Sequence, residues 1–160
     1  MAQVFYFDDI ERITDEYIYC FQKAKIDAMP PPEFGAAIHV LVITDRLPGC
    51  AKGLVEYLEK GRDITVDLVD NFAAAQQIIN QNPVDFLVIV GYLRSKTNYK
   101  IVDFVAENSP HANVIMYANI DDLIIKECSK YKIQHMYNRF DPIDEFVAFM
   151  RSVCCCEVAK

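Results

Sequence analysis

The chain has 160 residues, of which 52% are hydrophobic and 24% charged, and its formal net charge is −7. This length predicts one domain, at most with an added arm, and the composition excludes a disordered or collagen-like chain. An acidic chain without a cluster of basic residues is a poor candidate for binding nucleic acid or an anionic membrane.

Targeting signals and metal motifs are absent from the sequence. No apolar run reaches the ~18 residues of a membrane span, and the N-terminus lacks the basic and apolar regions of a secretory signal. The cysteines form no Cys-x-x-Cys pair, so we expect neither a disulfide framework nor a zinc site. We therefore expect a protein of the reducing cytoplasm, without metal or cofactor. The cysteines are Cys20, Cys50, Cys128, Cys154, Cys155 and Cys156.

The first 36 residues differ from the rest, since they hold seven acidic and three basic residues. Apolar side chains there follow a helical period and predict an amphipathic helix. Residues 29–35, with three consecutive prolines, then predict an extended connector to a domain over residues 37–160. The apolar stripe needs a cover, either the chain's own domain or another subunit. Its members are Ile10, Ile13, Tyr17, Phe21, Ala24 and Ala28.

From residue 37 onward, short apolar runs alternate with helical patterns. Five runs, at 39–43, 64–69, 86–90, 113–117 and 133–137, have the length and composition of strands covered on both faces. The run at 86–90 is the most apolar and is predicted to be central, whereas the half-polar run at 64–69 is predicted to lie near an edge.

Helices are predicted at 49–60, 71–80, 97–107 and 121–131, with a last one opening at Asp141-Pro142. Asp70 is predicted to cap the second of these helices. The regular alternation predicts a doubly wound α/β fold with a five-stranded parallel sheet. Its binding crevice would lie at the carboxyl ends of the strands.

Residues 39–154 resemble the receiver domain of response regulators, the signal-transduction proteins of two-component systems. The resemblance rests on VLVITD at 40–45, PVDFLVIVG at 83–91, VIMYAN at 114–119 and MYNRF at 136–140. It implies a flavodoxin-like sheet. It also implies a phosphorylation site built from paired carboxylates that hold Mg²⁺, an aspartate acceptor, a hydroxyl and a lysine.

The residues at these positions do not match the chemistry of the family. Thr44 and Asp45 stand where the resemblance implies two carboxylates, Val90 or Gly91 where it implies the acceptor, Ala118 for the hydroxyl and Asn138 for the lysine. One carboxylate is a poor magnesium site, and no oxygen nucleophile follows the third strand. We therefore expect a stand-alone pseudo-receiver with no catalytic residue, not an enzyme, that acts through contact with a protein partner or with itself as a homodimer.

The crevice suggests an alternative function, a sensor of small ligands or anions. Its polar lining would come from Asp45, Arg46, Tyr92, Asn119, Asn138 and Arg139. Within it, a bidentate pair between Arg139 and Asp45 would lock the domain without phosphate, unless Asp45 is merely a solvated loop carboxylate. By position in the family, the partner surface would comprise Lys126, Lys130, Tyr131, His135, Tyr137 and Phe146.

Overall fold

The computed structural model describes the backbone of residues 7–158 and the side chains of residues 12–154. Its centre is a five-stranded parallel sheet in the order β2-β1-β3-β4-β5. This is the doubly wound, flavodoxin-like fold that the sequence predicts, with β3 central and β2 at an edge. The strands are β1 (Ile38–Ile43), β2 (Ile64–Val69), β3 (Phe86–Val90), β4 (Asn113–Ala118) and β5 (His135–Asn138).

Six α-helices accompany the sheet, with a short 3₁₀ turn before each of α4 and α6. The helices are α1 (Phe7–Ala28), α2 (Pro48–Glu59), α3 (Phe72–Gln81), α4 (Lys100–Asn108), α5 (Asp122–Lys130) and α6 (Phe146–Val158). Two predicted helix starts are wrong. Asn71 rather than Asp70 caps α3, because its side chain accepts from the Ala74 amide. The Asp141-Pro142 pair precedes a 3₁₀ turn, and α6 starts only at Phe146.

Two apolar cores lie on opposite faces of the sheet. One is formed with α2 and α6 and contains Leu54 and Phe146, and the other is formed with α3, α4 and α5 and contains Ile101 and Ile124. Every residue of β3 is buried, which is why this strand is the most apolar in the sequence. Among residues 7–158, no helix combines the length and apolar character needed to cross a bilayer.

Helix α1 packs against α2 of its own chain. Ile26 is 1% exposed there, and the Tyr19 hydroxyl donates a 2.6 Å hydrogen bond to Glu56. The ammonium group of Lys60 donates to the carbonyl oxygens of Ile26, in the last turn of the helix, and of Met29, directly after it. These contacts satisfy carbonyls that the last turn of a helix leaves open.

The apolar stripe of α1 does not form this contact. Ile13, Tyr17 and Phe21 are 48%, 70% and 61% exposed, and Ala24 and Ala28 are exposed as well. The side chain of Ile10, predicted to belong to the stripe, lies outside the described side chains. The helix therefore packs through a different face, which carries Asp15, Tyr19 and Ile26.

The C-terminal cysteines end α6. Cys154 is partly buried and packs against the core beside α2, where the Asn113 side-chain amide lies 3.6 Å from its sulfur. The side chains of Cys155 and Cys156 lie outside the described part of the chain.

Candidate functional site

A cavity of about 240 Å³ opens at the carboxyl ends of the strands. The strand order changes direction between β1 and β3, and ligand crevices of doubly wound sheets form at such a point. Four predicted lining residues, Arg46, Tyr92, Asn119 and Arg139, reach this cavity. Its other walls are Leu47, Gly91, Ala118, Asp121, Leu123 and Ile124.

The two candidate positions for a phosphoryl acceptor carry no oxygen nucleophile. The Val90 side chain is fully buried in the core beside α2. Gly91 has a φ of +72°, and a Cβ there would lie 2.8 Å from Leu47 Cδ1. This close approach to a buried side chain, in a left-handed conformation, explains why glycine stands at the end of β3.

The Thr44 side chain forms hydrogen bonds to the surrounding backbone. Its hydroxyl donates a 2.9 Å hydrogen bond to the Val90 carbonyl oxygen, and its Oγ1 accepts one of 3.0 Å from the Leu47 amide. The residue is 5% exposed. Thr44 therefore joins the end of β1 to the end of β3 and stabilises the turn into α2.

Asp45 holds the loop that follows β3. Its carboxylate accepts hydrogen bonds from the Arg94 amide at 2.8 Å, the Ser95 amide at 3.1 Å and the Asn98 side-chain amide at 3.0 Å. The predicted pair with Arg139 is therefore wrong, because three donors of the loop already turn the carboxylate away from β5.

The same loop is fixed at its other end by Tyr99. The Tyr99 hydroxyl accepts a 2.9 Å hydrogen bond from the Leu93 amide, and its ring stacks on Tyr131 at 3.8 Å between centroids. The segment between β3 and α4 is thus bound on both sides by buried or partly buried groups.

Arg139 lies beside an acid that the sequence analysis did not single out. Its Nη1 is 4.0 Å from Oδ1 of Asp15, a residue of α1 that is 1% exposed. The Asp15 carboxylate accepts hydrogen bonds from the Gly49 amide at 2.6 Å and the Cys50 amide at 2.8 Å. Burial raises the pKa of this carboxyl above its usual value, although both hydrogen bonds oppose the shift. The only signal in the sequence is an acidic residue between apolar positions of α1.

The remaining crevice residues have more limited roles. The Arg46 guanidinium stacks on the Tyr92 ring at 3.6 Å from its centroid. Asn138 does not line the cavity, because its side-chain oxygen accepts from the Phe140 amide at 3.0 Å. Asp45 does not line it either, for the reason given above. Burial raises the pKa of the nearby Cys50 thiol to about 11, so this group is a poor nucleophile.

Two members of the predicted partner surface are buried and cannot form it. Tyr137 is 8% exposed and Phe146 is fully buried, because both rings pack in an aromatic cluster with Tyr117. Lys126 and Lys130 are exposed. Tyr131 and His135 are partly buried. Only part of that face is therefore available for contact.

Among the side chains of residues 12–154, no group of three or more histidine, cysteine or acidic residues is placed to hold a metal ion.

No family model and no curated protein matches the sequence. Solved structures do match. The signal receiver domain of an HD domain-containing protein from Pseudomonas fluorescens Pf-5 is 13% identical, with a TM-score of 0.62 over 78% of this chain and 99% of that one. The receiver domain of the response regulator NarL from Mycobacterium tuberculosis is 16% identical, with a TM-score of 0.60 over 75% and 98%.

The receiver domain of a Francisella response regulator gives a similar result, with 18% identity and a TM-score of 0.56 over 75% of this chain and 98% of that one. These likenesses show that the chain has the fold of response-regulator receiver domains.

Proposed function

We propose that this chain is a degenerate member of the receiver family, a pseudo-receiver that is not phosphorylated on aspartate and acts by binding protein rather than as an enzyme. The observation that carries the proposal is the end of β3, where Val90 is buried in the core and Gly91 has no side chain. Formation of an acyl phosphate needs a carboxylate nucleophile at that point.

The metal half of the reaction is missing as well. Mg²⁺ takes carboxylate and phosphate oxygens in near-octahedral geometry. The single acid after β1, Asp45, accepts hydrogen bonds from the loop that follows β3, and Thr44 stands in place of the second acid. The thiols of Cys20, Cys50 and Cys128 form no disulfide, which supports the reducing cytoplasm as the location of the chain.

Incubation of the full chain with acetyl phosphate and Mg²⁺, followed by intact-mass measurement, tests the proposal. We expect no mass increase, while a phosphorylatable receiver domain treated in parallel gains one phosphoryl group. A stoichiometric, base-labile adduct on this chain would overturn the pseudo-receiver assignment.

A sensor of phosphate-like anions is a second candidate, favoured by the state of Arg139. Within the described residues, its Nε and Nη1 atoms are buried without a hydrogen-bond acceptor, and the residue lines the crevice. The volume of about 240 Å³ lies below the ~300–1,000 Å³ of sites for drug-sized ligands, which favours an anion of phosphate size over a nucleotide.

Calorimetric titration with inorganic phosphate at constant ionic strength tests this second candidate. We expect saturable binding that Arg139→Gln abolishes. Arg62→Gln, a change at an exposed arginine outside the crevice lining, serves as the matched control and should leave binding unchanged. Equal binding of phosphate by the natural chain and both variants, or no binding by the natural chain, would exclude the anion sensor and leave protein binding as the proposed function.

A further inference from the structure

Arg139 belongs both to the crevice and to the contact between α1 and α2. The residue lines the crevice cavity of about 240 Å³, and its Nη1 lies 4.0 Å from Oδ1 of Asp15. The Arg139 side chain is 12% exposed and the Asp15 side chain is fully buried, so little water surrounds this pair. An anion bound at Arg139 in the crevice and the Asp15 carboxylate would therefore share one positive charge.

The ionised form of Asp15 depends on that charge. The carboxylate accepts from the Gly49 amide through Oδ2 and from the Cys50 amide through Oδ1, so both of its oxygens act as acceptors. Burial raises the pKa of the Asp15 carboxyl, the two amides and Arg139 lower it, and Glu16 raises it further. Among these groups, Arg139 is the one that carries a full positive charge.

Asp15 is also the point at which the first half of α1 contacts α2. A Cβ at Gly49 would lie 2.9 Å from the carbonyl oxygen of Asp15, so the two helices approach each other closely there. The second half of α1 is held separately, by the burial of Ile26 and by the hydrogen bond from Lys60. A change in the charge around Asp15 would thus loosen the first half of α1 and leave the second half docked.

We propose that anion binding in the crevice and the docking of Asp15 on α2 oppose each other through Arg139. The inference deepens the anion sensor proposed above and rests on it. A phosphate ion held at Arg139 would repel the Asp15 carboxylate, because like charges interact strongly where water is excluded. By linkage, the Asp15 carboxylate lowers the affinity for the anion by the same factor by which the anion weakens the docking.

This coupling gives the proposed sensor an output. When the first half of α1 loosens, the Gly49 and Cys50 amides lose their acceptor, and the start of α2 becomes accessible to solvent or to a partner. The effect passes from the anion to Arg139 and from Arg139 to Asp15 by direct electrostatic contact. It requires no movement of the sheet.

Calorimetric titration with inorganic phosphate at neutral pH and constant ionic strength measures the coupling from the crevice. We expect Asp15→Asn, which removes the charge and keeps a side-chain acceptor, to bind phosphate at least about fivefold more tightly than the natural chain. Glu16→Gln removes the exposed acid next to it and is the matched control, which should leave the affinity unchanged. Equal affinities of the natural chain and Asp15→Asn, or an equal gain in Glu16→Gln, would overturn the coupling.

Hydrogen exchange in the natural chain measures the coupling from α1 and needs no variant that disturbs the docking. Saturating phosphate should accelerate exchange at the Gly49 and Cys50 amides at least about fivefold relative to chloride at the same ionic strength. The Ala74 amide, which the Asn71 side chain caps at the start of α3, is the internal control and should not change. In Arg139→Gln, phosphate should change none of these rates. Unchanged or slower exchange at Gly49 and Cys50 in the natural chain would overturn the coupling.

Failure of the coupling and failure of the anion sensor give different results. Phosphate binding that Arg139→Gln abolishes, but that is equal in the natural chain and Asp15→Asn, supports the sensor and overturns the coupling. Absence of binding by both the natural chain and Asp15→Asn overturns both proposals. The pseudo-receiver assignment is decided separately, by the mass measurement after treatment with acetyl phosphate.

Discussion

Asp15 supplies the cap that α2 lacks in its own sequence. The residue before α2 is Leu47, which has no side-chain acceptor, and Pro48 begins the helix. The amides of Gly49 and Cys50 find their acceptor 34 and 35 residues earlier in the chain, in the buried Asp15 carboxylate. A negative group at this place is favoured both by the open N–H groups and by the positive end of the helix dipole.

Replacement of Asp15 by alanine should lower the free energy of unfolding by about 1–3 kcal/mol, because two backbone donors lose their acceptor. Urea denaturation followed by circular dichroism measures the change. Glu16→Ala, at the exposed neighbouring position, is the control and should change stability by no more than about 0.5 kcal/mol. Equal effects of the two changes would show that the hydrogen bonds to α2 contribute nothing.

The raised pKa of Asp15 makes its contribution depend on pH. Burial favours the protonated carboxyl in the folded chain, so the pKa lies above the unfolded value of 3.8. The associated stability is complete below 3.8 and is lost as the pH rises through the raised folded pKa. The natural chain should therefore gain stability relative to Asp15→Asn as the pH falls from 7 towards 4. A difference between the two proteins that is constant over this range would contradict the shift.

Asp45 stabilises a loop, whereas Asp15 stabilises the start of a helix. In Asp45→Ala the amides of Arg94 and Ser95 lose their acceptor, and hydrogen exchange at these amides should accelerate about tenfold or more. Hydrogen bonds to charged groups contribute roughly 1.5–3 kcal/mol, and 1.4 kcal/mol corresponds to a factor of ten. Asp70→Ala, which removes an exposed acid from the neighbouring turn after β2, should leave exchange at these two amides unchanged.

Helix α1 decides one of the two alternatives that the sequence left open, since its apolar stripe is not the face that packs on the chain's own domain. Its apolar period is real, but that row points away from the domain. The face that packs on α2 carries Asp15, Tyr19 and Ile26. Asp15 and Tyr19 are polar, and they stabilise the contact only through their hydrogen bonds to α2. Periodicity counts apolar side chains and cannot weigh a carboxylate that finds two amides at another helix.

The packing of α1 on the domain can be tested by a substitution on its buried face, with a matched control at an exposed isoleucine of α5. Ile26→Ala removes a side chain that is 1% exposed and should cost about 2–4 kcal/mol of unfolding free energy. Ile125→Ala removes one that is 48% exposed on α5 and should cost less than about 1 kcal/mol. Denaturation curves of both variants give the comparison, and similar costs would mean that α1 is not docked on α2 in solution.

At the scale of the whole molecule, the fold can be predicted from the sequence. The contacts between side chains in the crevice cannot. Five apolar runs at βα spacing leave few topologies, because crossovers are right-handed and parallel strands must be covered on both faces. It is equally visible that Val90 and Gly91 carry no oxygen nucleophile, since this follows from the identity of the two residues. The partner of Arg139 is not visible, because it depends on where α1 lies relative to β5.

The two cores each have a buried or nearly buried thiol that can report on global unfolding. Cys50 packs against the core formed with α2 and α6, and Cys128 belongs to the core on the other face. Burial raises the pKa of both thiols to about 11. Alkylation at pH 8 in increasing urea should therefore label both only in the unfolding transition and at the same midpoint. Labelling of Cys50 at lower urea would reveal separate opening of the side covered by α1.

The loop after β3 is held in place from two sides. The ring of Tyr99 stacks on Tyr131, and the Asp45 carboxylate and the Tyr99 hydroxyl accept hydrogen bonds from the loop amides. A crevice rim that is already ordered requires no further loss of chain entropy when something docks beside it. It also leaves little shape change for a signal to exploit. Under the function proposed above, we expect a partner to bind without a transition of this loop between two forms.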